Sequence, residues 1–525
     1  MFTGNIKQSF FSASLAGIAI SLPLSEWLLS LFIIMLTGSW IASGGLSKIP
    51  RLFRDKKIIL LFLSGFLIYM VWMINTSDIS AGLDQLRLKL PLLVLPMVIG
   101  LSDPISQAEN KFLISCFITG VVVSSLSGTI SGYDELISGY SDPKALSPYI
   151  SHIRLALMSL LAIASAGWYF IGHRTGKWHD WLFPVSALWL IFYLFLLLSL
   201  TGIVLLLVVA AISAASIFRR TENRILRIII PAVFILLLTA AGVLITETVR
   251  SFYTGRNAYF LPPKEMTAGG RPYYHNTSLK DVENGNLVWI YVCEEELARE
   301  WNRHSRYPYS GTDAKGQTLR YTLIRYLTSL GKTKDSAGFS SMTKTDIENI
   351  ENGIANKYFT VWSPWRSKLY EVVWQIDYYK KGGNPSGHSI TQRLEYFAAG
   401  LRIFSRYPLF GTGTGDIKDE YHFQYNADNS VLDEQHRLLC HNQFLSFLVT
   451  FGITGFIALI IALFYPFFKM RGFRRFLPAV FFIIATLSML WEDTLETHTG
   501  VSFFAYFYSV FIFGTENNEI EDKKS

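Results

Sequence analysis

Apolar residues in this 525-residue chain fall in blocks of about 16–24, the length a helix needs to cross a bilayer, separated by polar breaks. The pattern predicts about twelve helices, near residues 10–24, 26–42, 58–75, 90–101, 112–132, 154–171, 181–198, 203–218, 226–246, 442–468, 476–490 and 500–514. The block at 90–101 is the shortest and holds Pro91 and Pro96, so it either extends back through Leu86 or re-enters the same face. Lys7 followed by the run Phe10–Leu22 looks like the start of a signal peptide. No small-residue cleavage site leads into a soluble domain, however, and a second apolar block follows at once, so an uncleaved first span is expected. Between the ninth and tenth blocks the chain turns polar over residues 247–440. Trp289, Trp301, Trp362, Trp365 and Trp374 supply aromatic mass for a small core there, and residues 319–330 and 347–358 have helical spacing. The expected organisation is a membrane domain over 1–246 (about nine spans), a large, mainly helical outer segment over 247–440, a second membrane portion over 441–514 (about three spans) and a tail over 515–525. The fold class is all-α polytopic membrane protein.

Charge orients this pattern. Lys48, Arg51, Arg54, Lys56 and Lys57 fill one break, Arg174 and Lys177 another, Arg219, Arg220, Arg224 and Arg227 a third, and Lys469, Arg471, Arg474 and Arg475 a fourth. Alternate breaks are acidic or mixed, with Asp134, Glu135 and Asp142 in one and Glu492, Asp493 and Glu496 in another. By the positive-inside rule the basic set is cytoplasmic, which places both termini inside and residues 247–440 outside. Only 17% of residues are charged, against about 25% for soluble chains. The net charge of +7 suits basic loops facing anionic lipid, and no basic tract interleaved with aromatics points to nucleic acid. Cys116 lies in an apolar block, while Cys293 and Cys440 fall in the outer segment, where a disulfide is permitted but two cysteines make no framework.

Candidate chemistry concentrates between Arg393 and Gly455. Residues 391–406 form an amphipathic helix with an apolar face of Leu394, Phe397, Ala398, Leu401 and Phe404 and with Arg393, Arg402 and Arg406 at its edges. Pro408 ends it, and Gly411, Gly413 and Gly415 follow at alternate positions. Such glycines let backbone approach a ligand closely, but no Lys-Ser/Thr follows them, and a tight turn that docks the helix on the membrane domain is the plainer reading. His441 opens the next membrane helix on one face with Leu445, Leu448, Gly452 and Gly455, the glycines allowing close helix packing. The positive end of that helix disfavours a protonated imidazole, and a neutral His is a competent base near pH 7. The alternative is an interfacial His that hydrogen-bonds a loop. His422 and His436, with His441 and Asp419, Glu420, Asp433 and Glu434, have no compact metal-ligand spacing, so no metal is expected. Glu492, Asp493, Glu496 and His498 form either a solvated acidic loop or a source of a carboxylate that orients His441.

The run HNQFLSFLVTFGITG, from His441 to Gly455, closely resembles the signature of the O-antigen ligase and polymerase superfamily: His-Asn/Ser, a Leu a few residues on, then Gly-x-x-Gly in the following span. The Arg393 helix followed by Pro-Leu-Phe-Gly-Thr-Gly also matches, as does a large outer loop just before the His. The motif covers about 65 residues, and the hydropathy pattern agrees along nearly the whole chain. The resemblance implies a C-type glycosyltransferase-like fold in the bacterial inner membrane, with no cofactor and no metal. It implies a glycan donor on undecaprenyl pyrophosphate, and lipid A core or another glycan as acceptor. His441 and Arg393 match the family's functional positions, as base and pyrophosphate-binding residue. The family often carries a further Arg in a Ser-Arg-x-Gly-like turn, where this chain reads Ser199-Leu200-Thr201-Gly202. Arg154 is the candidate substitute, with Arg87 and Lys89 in another outer loop behind it. Arg402, Asn442, Gly413 and Gly415 complete the candidate substrate-binding set. Ligase, polymerase and protein O-oligosaccharyltransferase share this chemistry, and the His-Asn segment favours the ligase. A transporter or flippase would show internal repeats or charges deep in spans, and neither is read here.

Overall fold

The computed structural model describes residues 6–134, 145–172, 176–220, 223–253, 264–279 and 281–515. Glu135, Asp142 and Arg174, used above for orientation, lie outside the described residues, as does the tail beyond Thr515. The chain is an all-α polytopic membrane protein, and the sheet among the described residues is one hairpin, Val282–Glu283 with Asn286–Leu287.

Each of the twelve apolar blocks falls on a helix. Among the described residues, seven helices are long and apolar enough to cross a membrane: Lys57–Asn75, Gln107–Ser131, His152–Gly172, Trp178–Leu196, Leu200–Arg219, Arg227–Tyr253 and Gln443–Lys469. An eighth arises if Glu26–Ala42 and Gly45–Arg54, bent by 77°, form one broken span. The weak block at 90–101 belongs to a longer helix, Ile79–Leu101, which runs through Pro91 and Pro96 and back past Lys89. Proline is tolerated there because neighbouring helices cover the freed backbone groups.

Apolar helices too short to span alone are interior. In His498–Tyr508 and the π-turn that extends it, every residue from Val501 to Ile512 is at most 3% exposed. Aromatic rings lock this column to its neighbours: Phe62 on Tyr508 at 4.5 Å, Phe117 on Phe507 at 4.7 Å, and Phe467 on Tyr508 at 6.3 Å. Long spans instead leave whole apolar faces outward, as with Ile453, Ile457 and Ile461 on Gln443–Lys469. That division is what lipid allows, since hydrocarbon is as good a neighbour for isoleucine as another helix is.

The described chain forms two compact units, one of residues 1–230 with 393–525, the other of 231–392. Arg393–Cys440, read from the sequence as the end of the polar segment, therefore groups with the membrane helices. The second unit has its own core of Val288, Leu297, Trp301, Leu323, Leu327, Phe339 and Ile350. Its buried Glu283 is held by Arg325 at 2.6 Å and by the Asn356 amide at 2.8 Å. Lys334 there is buried, donates to the carbonyls of Leu287 and Ile290, and has its pKa pushed down to about 7 by desolvation. Cys116, Cys293 and Cys440 are all free thiols.

Candidate active site

The amphipathic helix is present as Thr391–Arg406, but the face it buries lies beside the apolar stripe and not on it. Tyr396, Ala399, Gly400 and Ile403 are buried, while Leu394, Phe397 and Leu401 are exposed. A Cβ at Gly400 would meet the Tyr421 hydroxyl at 2.3 Å and Leu445 at 2.9 Å, so this close approach favours a glycine.

That span is broken. Gly452, at φ 60° and ψ −173°, interrupts its helix, and the glycine-rich turn after Pro408 fits into the break. Amides of Thr412 and Gly413 donate to the carbonyls of Val449 and Thr450, at 2.9 and 3.0 Å. In return the amides of Ile453 and Thr454 donate to the carbonyls of Pro408 and Leu409, at 2.8 and 3.3 Å. Backbone groups orphaned by the kink are thereby satisfied, as a site away from water requires. On its other side the turn meets residues 72–82. Asn75 Nδ2 donates to the Gly411 carbonyl at 3.0 Å, and Asp416 accepts from the amides of Ser77 and Asp78 at 2.7–3.0 Å. Gly413, at φ 98°, packs against the backbone of Asn75 and Gly415 against that of Asp78, with no room for a Cβ.

Above this joint sits the imidazole. The span's first helical residue is Gln443 and its N-cap is Asn442, whose side chain accepts from the Leu445 amide at 2.9 Å. His441 therefore precedes the helix and shares no helical face with Leu445. It is held at φ 50°, an uncommon conformation for a residue with a Cβ, by its amide's hydrogen bond to Asp493 Oδ2 at 3.0 Å. Asp493 Oδ1 also accepts from Ser446 at 2.8 Å. The His441 ring lies beside Tyr396, with centroids 5.7 Å apart. Its Nδ1 faces Glu492 Oε2 at 3.8 Å, and Glu492 Oε1 is bound by Arg393 Nη2 at 2.5 Å. Burial pushes the His441 pKa down; Glu492 opposes this, and Arg393 and Arg154 add to it. Direction and sequence expectation agree, but the leading cause is desolvation and not the helix dipole. Burial raises the Glu492 carboxyl, against Arg393, His441 and Arg154, which favour its ionised form. Asp493 is pushed up to about 6 by burial and by the charge of Glu496.

Residues 347–460 match the family model described as O-antigen ligase. This stretch belongs to the O-antigen ligase family. No curated protein matches the chain. The O-antigen ligase stretch contains Arg393, the glycine turn, His441 and the broken part of the span, whereas Glu492, Asp493 and Arg154 come from outside it.

Of the residues singled out in the sequence, the structure gathers Arg393 and His441 around Glu492, with Arg154 close enough to act on both His441 and Glu492. Asn442 caps the helix and donates to the Leu490 carbonyl at 3.0 Å. Arg402 is drawn elsewhere, to Asp428 at 2.6 Å, and Gly413 and Gly415 are occupied in the docking turn. Lys89 is not in a loop. It is fully buried on Ile79–Leu101, ion-paired to Glu496 at 2.8 Å and bonded to the Leu495 carbonyl, so a charged side chain is held inside the helix bundle. Arg87, on the same helix, is exposed. Among the described residues no group of three or more His, Cys, Asp or Glu is placed to hold a metal ion. Tyr396 carried no sequence signal beyond its i, i+3 spacing from Arg393, which is the one clue that could have found it.

Proposed function

We propose that this chain is a ligase-type glycosyltransferase of the bacterial inner membrane, moving a glycan from undecaprenyl pyrophosphate to a hydroxyl of lipid A core or another surface acceptor. The observation that carries the reading is the assembly of Arg393, His441 and Glu492, with Arg154 within electrostatic reach, inside and beside an O-antigen ligase family segment. The basic breaks would face the cytoplasm, both termini with them, and the site would open at the periplasmic surface. Exposed Leu394, Phe397 and Leu401 suit contact with membrane lipid, from which a lipid-linked donor arrives.

The chemistry needs little more than these residues. Lipid pyrophosphate is already a good leaving group, so no ATP is required. As the anomeric carbon–oxygen bond breaks, negative charge grows on the pyrophosphate. The guanidinium fork of Arg393 or Arg154 matches phosphate oxygens. The acceptor hydroxyl is a poor nucleophile until its proton is taken, and general-base help is worth about 100- to 10,000-fold. His441, kept neutral by its surroundings, is that base. A single displacement inverts the anomeric centre. Neither a cofactor nor a metal enters the scheme.

The test is His441→Ala in the native host, with surface glycan and lipid-linked intermediates separated on gels. Loss of polymer on the acceptor with lipid-linked polymer accumulating is the expected outcome. Accumulation of single lipid-linked repeats would instead assign the chain to polymerisation. An unchanged profile would remove His441 from the chemistry.

A further inference from the structure

We propose that Glu492 is the positioning residue of this site: one carboxylate oxygen holds the Arg393 guanidinium and the other faces Nδ1 of His441, so that Nε2 is the nitrogen left to take the acceptor's proton. The inference rests on the reading of His441 as the base. A solvated acidic loop would leave the Glu492 side chain in water and without fixed partners. Here it is only 15% exposed and lies 2.5 Å from Arg393 and 3.8 Å from His441.

Its backbone is not loose either. The segment 489–496 is bonded to the segment 441–446 on both sides of Glu492. The Gln443 amide donates to the Met489 carbonyl at 2.9 Å, Asn442 Nδ2 to the Leu490 carbonyl at 3.0 Å, the His441 amide to Asp493 at 3.0 Å, and the Leu495 amide to Gln443 Oε1 at 2.6 Å. The Lys89–Glu496 ion pair anchors the far end, with Gln443 Nε2 donating to Glu496 at 2.9 Å. A carboxylate so fixed constrains what it touches, because each partner's side chain is ordered against a frame that does not move with it.

The consequence for transfer is specific. As the acceptor oxygen bonds to the anomeric carbon, its proton passes to Nε2 of His441. The bond from that carbon to the pyrophosphate oxygen breaks, and its electron pair leaves with the pyrophosphate. The imidazolium so formed has its Nδ1 proton toward Glu492, whose charge stabilises it without taking the proton, the arrangement by which an acid orients a catalytic histidine. The same carboxylate keeps Arg393 from rotating away from the path of the leaving group. The charged and titratable groups that face His441 are Glu492 on the 489–496 segment, Arg393 with Tyr396 on the Thr391–Arg406 helix, Arg154 on His152–Gly172, and Asp493 through the backbone. Glu492 is the one that favours a charged ring, since both arginines oppose it.

The experiment is Glu492→Gln in the full chain, in detergent micelles, with Glu492→Asp and His441→Ala beside it. The His441 ring is titrated by NMR on histidine-labelled protein, its signal assigned by its loss in His441→Ala, and transfer is followed in native-host membranes, which hold both substrates. In Glu492→Gln the His441 pKa should fall by about one pH unit, the scale of losing an opposite charge at this range. Transfer should drop about 10- to 100-fold, within the range of a general-base contribution, and Glu492→Asp should recover part of it. A titration curve identical to wild type, or full transfer by Glu492→Gln, overturns the inference while leaving His441 as the base. Wild-type transfer by His441→Ala overturns both. Thermal melting of the same samples separates lost fold from lost positioning, because the His441 titration is read only on folded protein.

Discussion

Asp493 supports an unusual expectation, that replacing a site residue stabilises the protein at neutral pH. Its carboxylate accepts from the His441 amide at 3.0 Å and from Ser446 at 2.8 Å, yet burial and Glu496 push its pKa from 3.8 to about 6. An acid with a raised folded pKa binds its proton more tightly when folded. Its contribution to stability is whole below pH 3.8 and is lost as pH rises through about 6. At pH 7.5 the ionised group therefore costs at most about 3 kcal/mol, from roughly 1.4 kcal/mol per pH unit over about two units. Asn keeps an oxygen for the His441 amide and can donate to Ser446. Asp493→Asn should thus melt at or above the wild-type temperature at pH 7.5, with the advantage shrinking toward pH 4.5, and should keep transfer activity. Asp493→Ala leaves the His441 amide and the Ser446 hydroxyl without their acceptor, at about 1–3 kcal/mol each, and should lose both stability and activity. Tryptophan fluorescence melting in detergent from pH 4.5 to 8 reads this directly, the chain having 13 Trp. A deficit in Asp493→Asn that is the same at every pH would show that the carboxylate bears no charge penalty, and the reasoning would fail.

Arg393→Lys keeps the charge but loses the guanidinium fork, and transfer in native-host membranes should fall on the order of 100-fold, the scale of removing one preorganised donor; near-normal turnover would refute a bidentate role. Gly413→Ala places a Cβ 2.4 Å from the Asn75 carbonyl oxygen at φ 98°. The strain of about 1–3 kcal/mol should lower the melting temperature and open the turn to limited proteolysis, and an unchanged melt would contradict the docking of the turn on residues 72–82. Because the His441 pKa is lowered, the base form persists below the usual 6.5, so transfer should stay level from pH 8 down through 6.5 and fall only at more acid values. A rate that already declines between pH 8 and 7 would contradict this.

Each of the twelve apolar blocks lies on a helix, because in hydrocarbon a backbone can satisfy its polar groups only within its own helix, and a run of side chains declares that locally; of the about twelve spans expected, seven or eight of the described helices are long and apolar enough to cross. Arg393 and His441 were named from a motif confined to about 65 residues of the chain. Which helices cross, and which stand inside the bundle, was not legible, since the blocks at 476–490 and 500–514 are as apolar as a span, and only the structure shows their helices to be short and surrounded by others. The buried face of Thr391–Arg406, Tyr396, Ala399 and Ile403, packs with Ile417, Tyr421 and Leu445, and Gly400 lies close against Tyr421 and Leu445, contacts that no periodicity reports. Lys89 read as a loop lysine, and Glu492 and Asp493 as either a solvated acidic loop or a carboxylate for His441, and their partners lie hundreds of residues away or in another helix. Charge, burial and proton affinity at this site belong to neighbours brought together by packing. Residue type and spacing name the groups that can do the chemistry, and the tertiary contacts decide which of them face one another.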